Sequence, residues 1–234
     1  IDQLSIGSII STTTLGFYQR ALILLNIIDS VIGATITQVT IATIGHIKKT
    51  KDTADKTLQR SVELLTRISI VFILWIGITA GEIISILYGE NWLPSIILVQ
   101  LLLPYAVLYS LNTLLRRTEV VSGTPKSVMK IRIIQLIILS ILLYPMIKIW
   151  NENGVAIAVD ISMMVSTIML FRITKMHINL NFKKIFFIPV VITCVASIST
   201  LLIKSQLVSL IGTLELFFIE STVYWLITIT MFYI

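Results

Sequence analysis

The 234-residue sequence predicts an all-α, polytopic membrane helical bundle of about eight transmembrane helices. Three observations carry that reading. Apolar residues make up 56% of the chain and charged residues 13%, where a soluble domain has roughly a quarter of its residues charged. The apolar residues come in blocks of about twenty, the length that crosses a hydrocarbon layer of roughly 30 Å. The lysines and arginines collect in alternate gaps between those blocks. Spans in lipid are helices here, because an open strand edge would leave backbone N–H and C=O groups unpaired.

The gap that orients the rest is HIKKTKDTADKTLQR, residues 46–60, with Lys48, Lys49, Lys51, Lys56 and Arg60. Neither a buried core nor a bilayer interior accepts such a run. Short connections rich in Lys and Arg stay cytoplasmic. Counted outward from this loop, the basic segments 46–67, 116–132 and 172–184 all fall on the cytoplasmic side of the cell membrane. Of the 18 lysines and arginines, only Arg20, Lys148 and Lys204 fall on the other side.

Taken in order, residues 1–15 are apolar but short, and GFYQR at 16–20 reads as an outer turn. Residues 21–45 span next and are more polar than their neighbours. Asp29, Gly33, Thr37 and Thr40 recur at spacings of 4, 4 and 3, so they share one helix face. In a span such a face looks onto protein or a water-filled cavity. Residues 68–88 span, and GENW at 89–92 turns with Trp92 at the interface. Pro94 opens the span 95–115, where its missing N–H costs little. Tyr105, Tyr109, Asn112 and Arg116 line one face of that span. NENG, residues 151–154, joins spans 133–150 and 155–171 as a tight turn. Residues 185–203 and 207–234 supply the last two.

The chain holds no phosphate-binding loop, no paired histidines at metal spacing and no nucleophile elbow, so it reads as no enzyme, without metal or cofactor. Cys194 is alone and has no disulfide partner within the chain. His46 and His177 read as solvated. The net charge of +6 reads as topology and contact with anionic membrane lipids, not as a nucleic-acid footprint. Charges inside spans are costly and therefore informative. Asp29 and Asp160 fall in the outer half, and Arg20 stands at the outer end; Glu82, Glu215 and Glu220 rank below them. The candidate substrate path is Arg20, Asp29, Thr37, Tyr105, Tyr109, Asn112 and Asp160. Arg20 is expected to precede its helix and bend over a cavity mouth, where a guanidinium grips phosphate oxygens through two parallel hydrogen bonds. Asp29, deeper in, is the expected cation or proton site. Arg116 and Arg117 read first as inner-side anchors.

Two stretches also carry a family resemblance. IDQLSIGSIISTTTLGFYQRA, residues 1–21, resembles the pattern D-x-L-x-I-G, then L-G-x-Y-x-x-A, that opens the second half of polysaccharide and O-antigen flippases. LYGENWLPS, residues 87–95, resembles that family's outer turn, and TPKSVMKIR, residues 124–132, is similar to the short inner loop that follows it. The family belongs to the multidrug/oligosaccharidyl-lipid/polysaccharide exporter (MATE-like) superfamily. The resemblance implies two pseudo-symmetric lobes around a cavity. Residues 1–174 would be the second six-helix lobe, its first helix truncated, and residues 175–234 two additional C-terminal helices. The chain would then be a fragment whose missing N-terminal lobe is a partner. The implied activity is translocation of a lipid-linked oligosaccharide, a polyprenyl-diphosphate glycan, by alternating access. Family cavities are commonly cationic, and Arg20 is the outer-side cation here. Two alternatives are a cation-coupled multidrug exporter of the same superfamily and a membrane-bound glycosyltransferase or polymerase of the same pathway. The latter needs a large outer loop, and the outer gaps here are only a few residues long.

Overall fold

Ser11 decides where the first described helix begins. Its backbone is extended, and its hydroxyl oxygen accepts from the Thr14 N–H at 3.0 Å, an N-cap that satisfies one orphan donor. In the computed structural model, which describes residues 3, 11–46, 51–175, 186–207 and 212–233, helix α1 (Thr12–Ile28) therefore runs straight through the expected GFYQR turn. The turn signals there have another origin. Gly16 is where the Trp92 ring lies against the helix, and Phe17 meets the same ring edge-on at 5.7 Å. A π-turn (Asp29–Gly33) then passes the chain into α2 (Ala34–His46), so one span reaches from Thr12 to Ile44.

The expected loop 46–67 is mostly helix. Residues 47–50 lie outside the described residues, and α3 (Lys51–Ile78) starts directly after them. The reason is propensity: the basic stretch contains no Gly or Pro beyond position 50, and its Lys, Ala, Gln, Arg and Leu are good helix formers. Leu58, Val62 and Leu65 bury one face of it at helical spacing. A break at Thr79, whose hydroxyl donates back to the Trp75 carbonyl at 2.8 Å, separates α3 from α4 (Ala80–Tyr88). Gly89 closes α4 with φ 85°, a conformation that favours glycine, and the short 3₁₀ turn Glu90–Trp92 follows.

Helices α5 (Ser95–Leu101) and α6 (Leu103–Val121) are one span bent by 51°. Pro104 causes the bend, since it lacks an N–H and its ring crowds the Gln100 carbonyl. The expected loop 116–132 shrinks to residues 122–124. Thr124 there donates to Glu119, and Pro125 opens α7 (Pro125–Lys175) at a position where its missing N–H is harmless. At Asn151 (φ 51°, ψ −129°) α7 folds back, and its arms 125–150 and 152–175 pack side by side: Gln135 on one lies 4.0 Å from the Met163 sulfur on the other. NENG is thus a reversal, as expected, but the helical hydrogen bonding resumes at once. Arg172 stays on the second arm, and residues 176–184 of the third basic segment lie outside the described residues. Helices α8 (Ile188–Leu207) and α9 (Thr213–Tyr233) complete the chain.

Among the described residues there is no strand. Among the described residues five helices are long and apolar enough to cross a membrane, and the bent α5–α6 pair makes a sixth. The stretch Pro125–Thr174, folded at Asn151, supplies two passes rather than one. The protein is a multi-pass, all-α membrane bundle. Of the first expected span, residues 1–15, only 3 and 11–15 are described. One core joins α1, α3, α4, α5 and the tip of the α7 hairpin around Leu25, Ile73, Ile84, Leu98 and Ala156. A second joins α3, α6 and the open end of the hairpin around Leu65, Leu114 and Leu170. A small third, Val71 with Ala196 and Tyr224, holds α8 and α9 to α3.

The hairpin depends on Gly154, where a Cβ would collide with the Met146 carbonyl across the reversal. Gly154→Ala is expected to cost about 1–3 kcal/mol, as overpacking against backbone does. Thermal unfolding of the purified protein in detergent measures it, and an unchanged midpoint would show that the arms separate freely.

Candidate functional site

Arg20 does not precede its helix. It sits in the body of α1, half-buried, with its guanidinium 5.1 Å from the centroid of Tyr88 and 5.0 Å from that of Trp92. Both aromatics come from the Gly89 turn region, so this end of the bundle presents a cation held on two rings. Stacking engages the guanidinium faces and is worth about 0.5–1 kcal/mol at an accessible site. Its N–H donors point within the guanidinium plane, where an anion is bound bidentately.

Asp29 opens the π-turn, a local widening often found at functional positions. A Cβ at Gly33 would lie 2.5 Å from Asp29 Oδ1 and 3.3 Å from the Ser110 hydroxyl. The glycine therefore leaves room for a carboxylate from the π-turn and a hydroxyl from α6. Among the described residues no ion pair joins Arg20 to Asp29. The rest of the expected polar stripe packs against protein. Thr40 donates to the Ile36 carbonyl at 2.6 Å and lies 2.7 Å from Ser61 of α3. Thr37 is buried and its hydroxyl finds no partner.

Three of the expected path residues belong to a polar ladder between α6 and the second arm of α7. The Tyr105 N–H donates to Asp160 Oδ1 at 2.9 Å. Asn112 Nδ2 donates to Ser166 and Thr167, each at 3.1 Å. The Thr174 hydroxyl donates to Glu119 Oε1 at 2.9 Å. The rungs 105–160, 112–167 and 119–174 share one offset of 55 residues, so the two helices run parallel. They recur every seven residues, the period of helices packed with a slight left-handed supercoil. The first rung has a second role. The bend at Leu102 frees backbone N–H groups at the start of α6, no side chain of α6 caps them, and Asp160 supplies the acceptor. Asn112 and Asp160 are thus held between helices. Tyr105 and Tyr109, half-buried, stack at 5.5 Å beside them.

Farther along α6, Arg116 lies in electrostatic range of Tyr105, Tyr109, Arg117 and Arg132. Its Nε is buried without a partner, and it borders a pocket of about 420 Å³ with Arg117, Ile41 and Val120. Ile41 is some 30 Å along the α1–α2 span from Arg20, at 1.5 Å per residue. The two cations therefore stand at opposite ends of the bundle. A larger groove of about 470 Å³ opens between α3, α6, the second arm and α8. Its lining is apolar and includes Leu74, Val107, Met164, Phe171 and Val190.

One cluster escaped the sequence reading. Lys204 of α8 reaches Glu82 of α4 at 2.7 Å and Glu220 of α9 at 3.4 Å. The available signal was that all three lie within helices near the same end of the bundle, and buried charges seek partners. Among the described residues no group of His, Cys, Asp and Glu has the arrangement of a metal site.

Comparison with known proteins follows the same lines. A family model described as polysaccharide biosynthesis protein matches residues 1–97. No curated protein matches. A solved structure of the lipid II flippase MurJ, in an inward closed conformation, superposes with a TM-score of 0.77 at 14% identity. The match covers 99% of this chain and 49% of that one, so the chain spans about half the length of MurJ. The expected likeness to polysaccharide flippases is borne out at the front of the chain by the family model. Along its whole length the chain shares the fold of one half of MurJ.

If Asp160 acts as the cap of α6, Asp160→Ala should cost about 1 kcal/mol, while Asp160→Asn, which keeps an acceptor oxygen, should cost markedly less. The two variants unfolding at the same temperature would remove the capping role.

Proposed function

We propose that this chain takes part in moving a lipid-linked oligosaccharide across the cell membrane by alternating access. In this reading residues 1–174 form the second lobe of a two-lobed transporter, residues 175–234 add two helices, and an N-terminal lobe completes the cavity. The observation that carries the proposal is the chain-wide match to half of a lipid II flippase, together with a polysaccharide biosynthesis model over residues 1–97. That description favours a glycan cargo over the drug-exporter alternative. A transporter needs no catalytic constellation.

The site chemistry fits such a cargo. A polyprenyl-diphosphate glycan has a doubly anionic link between a hydrocarbon tail and a polar sugar. Arg20, held over the Tyr88 and Trp92 rings, suits the diphosphate at one end of the bundle, and Arg116 suits it at the other. The apolar groove beside α8 suits the tail. Tyr105 and Tyr109 offer aromatic faces between them, and Asp29, beside Gly33, is the acid available for a coupling cation or proton. Asn112 and Asp160 serve this path by holding its helices, while Thr37 is buried on α2. The basic end, with Arg116, Arg117 and the start of α3, is assigned to the cytoplasm by its Lys and Arg content.

Topology is tested with single cysteines at positions 56 and 90 on a Cys194→Ser background. An impermeant thiol reagent added to intact cells should label position 90 and spare position 56; the opposite pattern inverts the orientation. Transport is tested in the complete protein by restoration of surface polysaccharide in a strain lacking its own flippase. A lost bidentate contact to a charged group, about 1.5–3 kcal/mol, predicts roughly ten- to hundredfold slower export for Arg20→Ala. Arg20→Lys should fall between Arg20→Ala and wild type. Wild-type export by Arg20→Ala and Arg116→Ala, at matched expression, would remove both cations from the path.

A further inference from the structure

Lys204, Glu82 and Glu220 meet where α3 breaks at Thr79. Helix α3 ends at Ile78, so its last carbonyls lack intrahelical donors. The Lys204 ammonium donates to the Ile78 carbonyl at 3.2 Å, to Glu82 Oε1 at 2.7 Å and to Glu220 Oε2 at 3.4 Å. All three of its N–H donors are thereby used. The acids are deep: Glu82 is 6% exposed and Glu220 is 0% exposed. Each keeps one buried oxygen, Glu82 Oε2 and Glu220 Oε1, that has no hydrogen-bond partner.

The charges do not balance. Two carboxylates face one ammonium, leaving one negative charge in excess in a region walled by apolar helices. An uncompensated buried ion costs several kcal/mol. Among the described residues no second cation is at hand on the packed elements. On α3 the nearest basic residue, Arg67, is about 16 Å down the helix from Ile78. Helix α4 otherwise offers Tyr88, which faces Arg20. Helix α8 offers the exposed Cys194. Helix α9 offers Glu215, exposed at its start, and Tyr224, whose hydroxyl donates to the Val71 carbonyl at 2.7 Å. Two orphaned acceptor oxygens and one missing positive charge are remedied by the same addition.

We propose that Glu82, Lys204 and Glu220 form a one-proton binding site, in which Lys204 stays cationic and the two carboxylates hold a single added proton on one of their unpartnered oxygens. The proton comes from water and returns to it. Its route is along Lys204, whose side chain is 22% exposed while the acids behind it are covered. The loaded site is neutral, and it joins α8 and α9 to the broken α3–α4 span. This inference does not rest on the transport reading.

The test is infrared spectroscopy of the complete protein in nanodiscs of neutral lipid at neutral pH, in H₂O and D₂O. A protonated carboxyl gives a carbonyl stretch that shifts on deuteration. Wild type should show this band. Glu82→Gln and Glu220→Gln should each abolish it, since either leaves one carboxylate balanced by Lys204. Lys204→Met should roughly double it, because neither buried acid then has a compensating charge. Asp160→Asn should leave the cluster's band in place. Spectra in which both Gln variants retain the wild-type band overturn the proposal, as does a wild-type band abolished by Asp160→Asn. The near-isosteric Gln variants keep the test decisive should Lys204→Met fail to fold.

Discussion

The seven-residue polar ladder between α6 and the second arm of α7 fixes the geometry on which the rest of the bundle depends. In lipid, two apolar helix faces gain nothing from leaving water, so register must come from packing and hydrogen bonds. Three rungs at a common offset of 55 residues allow one register only. Slipping α6 by a single residue would turn its rungs by about 100° and orphan all of them. The uppermost rung also makes the bend at Leu102 tolerable, because Asp160 accepts a hydrogen bond that the proline-disrupted helix cannot place internally. The bend in turn contributes Leu103 and Pro104 to the wall of the apolar groove.

Among the described residues, four breaks in the helical run, at Asp29, Thr79, Leu102 and Asn151, each have a compensating contact. The π-turn at Asp29 is accommodated by Gly33, where the carboxylate and the Ser110 hydroxyl approach. The break at Thr79 exposes the Ile78 carbonyl to Lys204. The bend at Leu102 is met by Asp160, and the fold at Asn151 by the missing side chain of Gly154. Backbone departures within a membrane need partners of this kind, since water is not there to supply them. Three of the four involve an ionisable residue: Asp29 lies in its own π-turn, while Lys204 and Asp160 reach their breaks from helices remote in sequence.

Spans and turns were legible in the sequence where composition changes sharply. Gly89–Trp92 and NENG are turns in both, and the apolar blocks became helices. The errors have a common cause. The charge of residues 51–60 and 116–132 points to loops, yet charge removes a segment from lipid without unwinding it, and helix continues through 51–60 and most of 116–132. GFYQR looks like a turn because Gly16 and two aromatics interrupt an apolar run; in space the glycine accommodates Trp92, a residue remote in sequence. Tertiary contact was likewise needed to sort the candidate residues. The heptad spacing of Tyr105, Asn112 and Glu119 against Asp160, Thr167 and Thr174 was present in the sequence but meaningless until the helices were known to be neighbours. The Glu82–Lys204–Glu220 cluster draws on three helices, and periodicity within one helix does not reveal it.

The reversal at Asn151 has a consequence for how the bundle is put together. Because the two arms of α7 meet without an intervening loop, they form their contacts at almost no cost in chain entropy. The ladder closes a loop of 55 residues, and Lys204 meets Glu82 across 122. Loop-closure entropy ranks these contacts, with each doubling of length adding only about 0.6 kcal/mol, but the order is unambiguous. The α7 hairpin is a local unit, available while the chain is still being threaded into the bilayer. The ladder waits for that hairpin, and the charged cluster waits for the final two helices. The contact that partners the buried acids therefore carries the largest closure cost of the three, and it falls to α8 and α9 to make it.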